Sequence, residues 1–325
     1  MKIRIAAFFA CCVIEVGMFC GCGKQEISGE EYFKYHFADK KEAVECFLSN
    51  KEYFDGFSEC ELQYKMQDKN ASMEKYLEFG KSQMEEFTEK QKTLIGDLLE
   101  EMEGDLISNG YTLPKIEEII FINSTQLEEG GVTAYTHGTQ IYCNGAALEE
   151  ALLSEDEKIR IAGKGLMWHE IFHCLTRSNP KFREDMYHII NFTVVTNDYN
   201  LPLSVKEIYI SNPDVGHHNS YASFEIDGEK KNCFCAIIAT RPFEKKGDHF
   251  FDCATTALVP VDGSDSYYLP EDSDNFWEIF GRNTDYVLDP EECMADNFEY
   301  AMTYGKSGVK YESPEIIDAI LDYVD

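Results

Sequence analysis

Basic residues are the scarce class in this chain. Lys and Arg number 29 against 60 Asp and Glu, a formal net charge of −31. Phosphate backbones are gripped by basic faces, so this balance argues against a nucleic-acid partner, and it disfavours docking on an anionic membrane surface. Paired Cys-x-x-Cys motifs are missing as well. Cys233-Phe234-Cys235 is too tight for a zinc ribbon and has no second pair. No internal repeat and no low-complexity block is present, which removes solenoid and array architectures. What remains is a chain of 325 residues, 44% hydrophobic, enough for one substantial core or one core with a small appendage.

The first 23 residues read MKIRIAAFFACCVIEVGMFCGCG. Lys2 and Arg4 form a basic start, and a mostly apolar run follows, interrupted by Glu15 and ending in small residues and cysteine. That is the layout of a secretory signal rather than of a membrane-spanning helix. Phe19-Cys20-Gly21-Cys22 resembles a bacterial lipobox, with Phe19 where leucine is usual. Residues 1–21 are then a leader, and a lipid on Cys22 tethers the protein to the outer, extracellular face of a bacterial cell membrane. An ordinary signal peptide and an uncleaved anchor are the alternatives. Residues 22–36 read as a polar tether. Eight cysteines lie beyond Cys22. Disulfides and free thiols are both open, since connectivity is not written in spacing.

Residues 37–75 carry broken helical patterns rich in aromatics. Thr88-Glu-Lys-Gln91 is a capping box, followed by Leu94, Ile95, Leu98, Leu99, Met102, Leu106 and Ile107 at helical spacing, and Asn109-Gly110 ends that helix. Ile116 to Ile122 reads as a buried strand, and Val132 to Cys143 as a second strand with an irregularity at Gly138. Ser154-Glu-Asp-Glu157 reads as another capping box opening a long helix. Pro180 stops that helix region and starts the next. Alternating stretches between 203 and 262 ("VKEIYI", "SYASFEI", "CFCAIIAT", "ATTALVPV") predict a β-rich insert over about 195–272. Helices return at 273–281 and 290–304, the latter capped by Asp289-Pro290 and ended by Gly305.

The long helix carries His169-Glu170-Ile171-Phe172-His173. Residues at i and i+4 lie one above the other on a helix, so two imidazoles there can bind one tetrahedral Zn²⁺. A glutamate directly after the first histidine sits beside the metal and can take a proton from water without being a ligand. With 8 His and 60 Asp and Glu in 325 residues, chance gives only about 0.04 such matches per chain. Context adds to this. His169 and His173 share a stripe with Ala162 and Leu166, while Ile161, Trp168, Phe172 and Leu175 line the opposite face. A helix apolar all round is buried, and buried histidines and a glutamate need partners. The alternative is a pair of hydrogen-bonded core histidines.

Two further pattern elements are absent: position 176 is Thr and position 179 is Asn, so no glycine and third histidine follow on the same helix. The third ligand must come from elsewhere. His217-His218 is one source, though adjacent histidines usually point apart. The stretch "DPEECMADNFEYAM" (289–302) is the better source, with Glu292 and Asp296 at i and i+4. One carboxylate can ligate while the other holds a ligand histidine. Against this, Asp289-x-x-Glu292 is also capping-box-like, so Glu292 could simply cap its helix.

HEIFH followed by Glu292-x-x-x-Asp296 resembles the gluzincin branch of zinc metallopeptidases, and more closely uncharacterised bacterial secreted proteins of that type. The similar stretches include "FTEKQKTLIGDLLEEM", "IIFINSTQLEEGGVTAYTHGTQIYC", "HEIFHCLTRSNPKFREDMY", "ISNPDV" and "GRNTDYVLDPEECMADNF", spanning roughly 80–310. The resemblance implies an α+β, zincin-like fold over 37–325, with a mixed sheet, an active-site helix and the β-rich insert. It implies one catalytic Zn²⁺ held by His169, His173 and Glu292, with Glu170 as general base and Asp296 orienting a ligand histidine. It also implies an edge strand beside the metal that holds peptide substrate; "TAYTHGTQIYC" (133–143) is the candidate, with Ala134, Tyr135, Thr136 and His137 as its residues, and an ordinary sheet strand is the alternative. One departure matters: 118 residues lie between His173 and Glu292, so the insert must fold back for the two helices to meet.

The activity this implies is hydrolysis of peptide bonds in a peptide or protein substrate outside the cell membrane. Tyr286, six residues before Glu292, is the first choice as donor to the oxyanion, with His137 and Tyr221 behind it. Cys174 points to another helix face and reads as core. Two other functions stay open: a catalytically weak surface binding protein on the same scaffold, and a hydrolase of cell-wall amide bonds. Substrate specificity and oligomeric state are not legible in the sequence.

Overall fold

The computed structural model describes residues 32–249 and 252–325. The expected leader, Cys22 and the tether as far as residue 31 lie outside the described residues. Residues 32–36, expected as the end of a tether, belong to the folded part. Phe33 is buried in the main core, and Tyr35–Phe37 forms β1 of the first sheet.

The architecture is α+β. The first sheet is mixed. β1 and β5 (Gln140–Cys143) run parallel to the central β3 (Ile119–Ser124), while β2 (Met84–Glu85) and β4 (Ala134–His137) run antiparallel to their partners. The order β1-β3-β5-β4 leaves β4 at the edge. The stretch read as one strand over 132–143 is thus a hairpin. Gly138, at φ +62°, takes the left-handed backbone that a two-residue turn needs and that residues with a Cβ resist.

Helices cover both faces of this sheet. On one face lie α1 (Lys40–Ser49), α2 (Lys51–Asp55), α3 (Glu59–Met66) and α4 (Met73–Gln83). They account for the broken aromatic patterns of 37–75. Phe47, Phe54 and Tyr76 pack there with Ile122, Tyr135 and Tyr142. On the other face lie α5 (Glu89–Asn109), α6 (Gly145–Leu152) and α7 (Glu157–Ser178), packed on Ile119, Phe121, Ile141 and Cys143. Alternation of side chains along each strand produces the two faces. α5 begins with the expected capping box at Thr88 and Gln91. α7 is capped instead by Asp156, whose carboxylate accepts from Lys158 N; Ser154 only accepts from Asp156 N.

α8 (Pro180–Ile189) follows, then the insert. Its second sheet is an antiparallel meander of β6 (Thr193–Val194), β7 (Ser220–Ile226), β8 (Glu229–Ala239) and β9 (Ala254–Pro260). "VKEIYI" is not a strand. Pro202 starts a short α9 (Leu203–Lys206), since its fixed φ suits a helix N-terminus, and Tyr209 makes only an isolated bridge to Ile238. After β9 the chain returns through α10 (Phe276–Phe280), α11 (Pro290–Tyr304) and α12 (Pro314–Val324). α11 lies against α7. Phe172 and Phe298 meet there with ring centroids 5.4 Å apart, and burial of each ring is worth roughly 1.5–3 kcal/mol. Gly165 makes the close approach feasible: a Cβ at that position would fall 2.3 Å from Glu299 Oε1. The insert therefore folds back and the two helices that carry the candidate residues meet. Cys46, Cys60, Cys143, Cys174, Cys233, Cys235 and Cys293 form no disulfide among the described residues, and Cys174 is fully buried. No helix among them is long and apolar enough to cross a membrane.

Candidate metal centre

α7 is buried from Met167 to Thr176, because it runs between the first sheet and α11. One helical turn separates His169 from His173, so both rings project toward the N-terminal half of α11. His169 Nε2 lies 3.2 Å from Glu292 Oε2, and His173 Nε2 lies 3.7 Å from the same oxygen. In tetrahedral zinc with bonds of 2.0–2.1 Å, ligand atoms stand about 3.3 Å apart. The three groups thus converge at the spacing of a shared cation. Glu292 is free for this because Asp289 is the cap of α11, accepting from Glu291 N.

A carboxylate stands beside the other nitrogen of each imidazole. His169 Nδ1 faces Asp296 Oδ1 at 3.0 Å, and His173 Nδ1 faces Glu291 Oε1 at 3.0 Å. Outer carboxylates of this kind fix ring orientation and free Nε2 for a metal. These in turn are anchored. Thr284 donates its hydroxyl to Asp296. Glu291 accepts from Thr176 at 2.5 Å and from Tyr187 at 2.5 Å, and Arg177 lies 3.3 Å away. Asn212 donates to Glu292.

Glu170 points from the same helix toward β4. Thr136 Oγ1 donates to Glu170 Oε2 at 2.6 Å. The register puts Thr136 opposite Ile141, on the α7 face, and Tyr135 opposite Tyr142, on the far face. Tyr135 stacks on Tyr142 at 4.6 Å and donates to Glu128. His137 lies on that far face too, edge-on to Tyr53 at 4.7 Å, so its ring is not an oxyanion donor for this site. Ala134 packs against the main core.

Charge is concentrated here. Glu170, Asp214, Glu291, Glu292, Asp296 and Glu299 are all buried, with Arg177 and Arg183 as the cations that act on Glu291. Burial opposes charge on His169, but the Asp296 and Glu292 carboxylates outweigh it and hold the ring well above its usual pKa. Burial lifts Glu170, with His169, His173 and Thr136 pulling the other way. Burial also lifts Asp214, reinforced by Glu292 and Glu170, and pushes Glu299 up to about 8 with help from Asp296. Burial works against Glu291 as well, yet Arg177 and His173 bring it down to about 2.

The donor set fits a divalent cation. Two neutral nitrogens and one carboxylate oxygen are a tetrahedral zinc set with one position left over. His173 Nε2 is buried without a hydrogen-bond partner, and a cation at the shared point would satisfy it. His169, His173 and Glu292 each offer an atom, all within 4.8 Å of one another; so do His169, Asp296 and Glu299, and Glu170, His173 and Asp214. An excess of buried carboxylate over countercharge is costly unless a cation offsets it.

Of the other expected residues, Tyr286 stands near, its ring 6.4 Å from that of His169. Tyr221 packs edge-on with Tyr199 on the second sheet. His217 and His218 do point apart: His217 pairs with Asp198 at 3.2 Å, and His218 bonds the Tyr209 hydroxyl at 2.9 Å. Neither joins the cluster. Sequence reasoning gave no role to Glu291, Asn212, Asp214, Thr284 or Glu299. Glu291 sat beside Glu292 in the acidic stretch, and Asn212 and Asp214 sat in "ISNPDV", so the signals were present without geometry to sort them. Comparison with protein-family models, curated proteins and solved structures finds no match to this chain.

Proposed function

We propose that this chain is a zinc-dependent metallopeptidase of gluzincin type on a zincin-like fold, acting on peptide bonds outside the cell membrane. The observation that carries this reading is the convergence of His169 Nε2 and His173 Nε2 on Glu292 Oε2, with Glu170 alongside and tied to an edge strand. His169, His173 and Glu292 would hold the metal, and Asp296 and Glu291 would turn the two rings. When bound, zinc supplies Lewis acidity, lowering the pKa of a water and polarising a carbonyl.

The chain's own groups do the remaining work. Glu170 takes a proton from the attacking water at its carboxylate and hands it to the leaving nitrogen. A carboxyl whose pKa burial has raised suits a base that must also return its proton. Thr136 holds that carboxylate by one oxygen. Tyr286 donates to the developing oxyanion. β4 receives the substrate as an added strand. A leader at 1–21 and a lipid on Cys22 would keep the protein on the outer face of the membrane, and Cys22→Ala should then release it from a membrane fraction.

A catalytically weak binding protein on the same scaffold is the second reading. It draws on one observation: His169, Glu170, His173 and Glu292 are all nearly inaccessible. Metal analysis of purified protein together with cleavage of a peptide library separates the two. Stoichiometric zinc in both wild type and Glu170→Gln is expected, with turnover about 10²–10⁴-fold lower in the variant. Zinc without cleavage favours the binding reading, and no zinc uptake ends both.

A further inference from the structure

The edge strand is already occupied. In a two-residue hairpin the flanking pair, here His137 and Gln140, exchanges backbone hydrogen bonds, and pairs then alternate along the ladder. Thr136 and Ile141 are therefore a non-hydrogen-bonded pair, and the Thr136 N–H points outward, where an added peptide strand would meet it. In the structure that N–H donates to Asp214 Oδ1 at 2.5 Å. The same oxygen lies 3.9 Å from His173 Nε2, and Asp214, Glu170 and His173 bring ligand atoms within 4.8 Å of one another.

We infer that the segment 211–216 is a built-in stopper, in which Asp214 takes a substrate carbonyl's place on the Thr136 N–H and stands beside His173, one of the residues that would hold the metal. This regulation rests on the metallopeptidase reading of the same site. Several contacts hold the segment down. Asn212 donates to Glu292 and accepts from Asp214 N at 3.0 Å. Arg177 donates to the Asp214 carbonyl. At the segment's start, Ser211 is clamped by Glu61, which accepts from its N–H at 3.1 Å and from its hydroxyl at 2.5 Å. Glu61 belongs to a buried group with Lys65, Glu129 and Tyr53 under the N-terminal helices. The stopper is thus tied to the part of the chain that leads to the expected membrane tether. A peptide entering along β4 must displace Asp214, so the closed form is a resting state. Ligand affinity is then the open form's affinity multiplied by the fraction of molecules that are open.

The test compares wild type with Asp214→Ala and with Asp214→Asn, the second keeping size and an acceptor while losing charge. Hydrogen exchange of the Thr136 amide is read in metal-free protein, and acetohydroxamate, a small metal-binding probe, is titrated into zinc-loaded protein. The expected result is a protected Thr136 amide in wild type that exchanges at least about tenfold faster in Asp214→Ala, with acetohydroxamate bound at least about tenfold more tightly by that variant. Asp214→Asn, which keeps the acceptor, should keep Thr136 protected and bind the probe no more tightly than wild type. A rapidly exchanging Thr136 amide in wild type overturns the stopper. Equal or weaker probe binding by Asp214→Ala also overturns it. Wild type that takes up no zinc sinks the metallopeptidase reading instead, and the Thr136 exchange rate then decides the strand contact by itself.

Discussion

Thr136 and Glu170 join the edge strand β4 to helix α7 through one hydrogen bond of 2.6 Å, buried at both ends. The contact fixes one oxygen of the proposed base. Thr136→Val keeps the shape of the strand and removes the donor. Leaving a buried carboxylate oxygen unsatisfied costs about 1–3 kcal/mol. In the proposed reaction kcat should fall about tenfold or more while KM changes little, since the backbone N–H that meets substrate remains. Because Thr136 lowers the Glu170 pKa, the acid limb of the rate profile should move to higher pH, and Thr136→Ser should restore both. A steady-state pH series on the three proteins measures this.

Glu291 is the tightest anchor around the site, meeting His173, Thr176, Tyr187 and Arg177. It touches no substrate and would act through the orientation of His173. Glu291→Gln should weaken zinc about 10–100-fold, the usual effect of losing an outer carboxylate. Competition against a chelator of known affinity reads this directly. A change in turnover with unaltered metal affinity would assign Glu291 to some other task.

The sequence carried helix α7, its two histidines and the acidic helix α11 because each is a local pattern. A four-residue repeat and an i, i+4 carboxylate pair need no tertiary knowledge. The helix from 89 to 109 was legible for the same reason, through its cap and its glycine stop. The hairpin at 134–143 was harder: Gly138 marked an irregularity, but a bulge and a turn look alike until the partner strand is known. "VKEIYI" alternates like a strand, yet Pro202 starts a helix over Leu203–Lys206, and only residues 208–210 reach the edge of β8. Asp214 and Asn212 were out of reach. Their meaning comes from a loop crossing Thr136 and Glu292, and no spacing in the chain encodes that contact.

Metal removal should loosen the α7–α11 contact in particular. His169 and His173 sit on one helix and Glu292 on the other, across 118 intervening residues, so a shared cation would tie the two ends of the insert together. A ligand present at a thousand times its Kd adds about 4 kcal/mol to stability. Chelation should lower the unfolding midpoint by several degrees in wild type, and Glu292→Ala should start low and show no further drop. A wild-type midpoint unaffected by both zinc and chelator would count against a resident ion.

Glu61 gives a pH signature separate from the metal. Burial pushes its carboxyl up to about 7, although Lys65, 3.4 Å away, and Ser211 pull it back. The folded pKa lies above the reference value of 4.5, so the folded state holds the proton more tightly than the unfolded chain. The stability this contributes is complete below pH 4.5 and is lost as pH rises through about 7, a change of about 3 kcal/mol at 1.36 kcal/mol per unit. Asp289, also at about 7, and Glu299, at about 8, add slopes of the same sign, so the measurement must be a difference. Glu61→Gln carries no titrating group and should lose only the Glu61 share. Denaturant unfolding of wild type and Glu61→Gln from pH 4 to 8 should show the wild type falling more steeply between pH 4.5 and 7, with parallel curves outside that window. Parallel curves throughout would mean that Glu61 keeps its unfolded pKa in the fold, with Lys65 and Ser211 offsetting burial. The clamp on Ser211 would then be a charge-assisted bond above the carboxylate range.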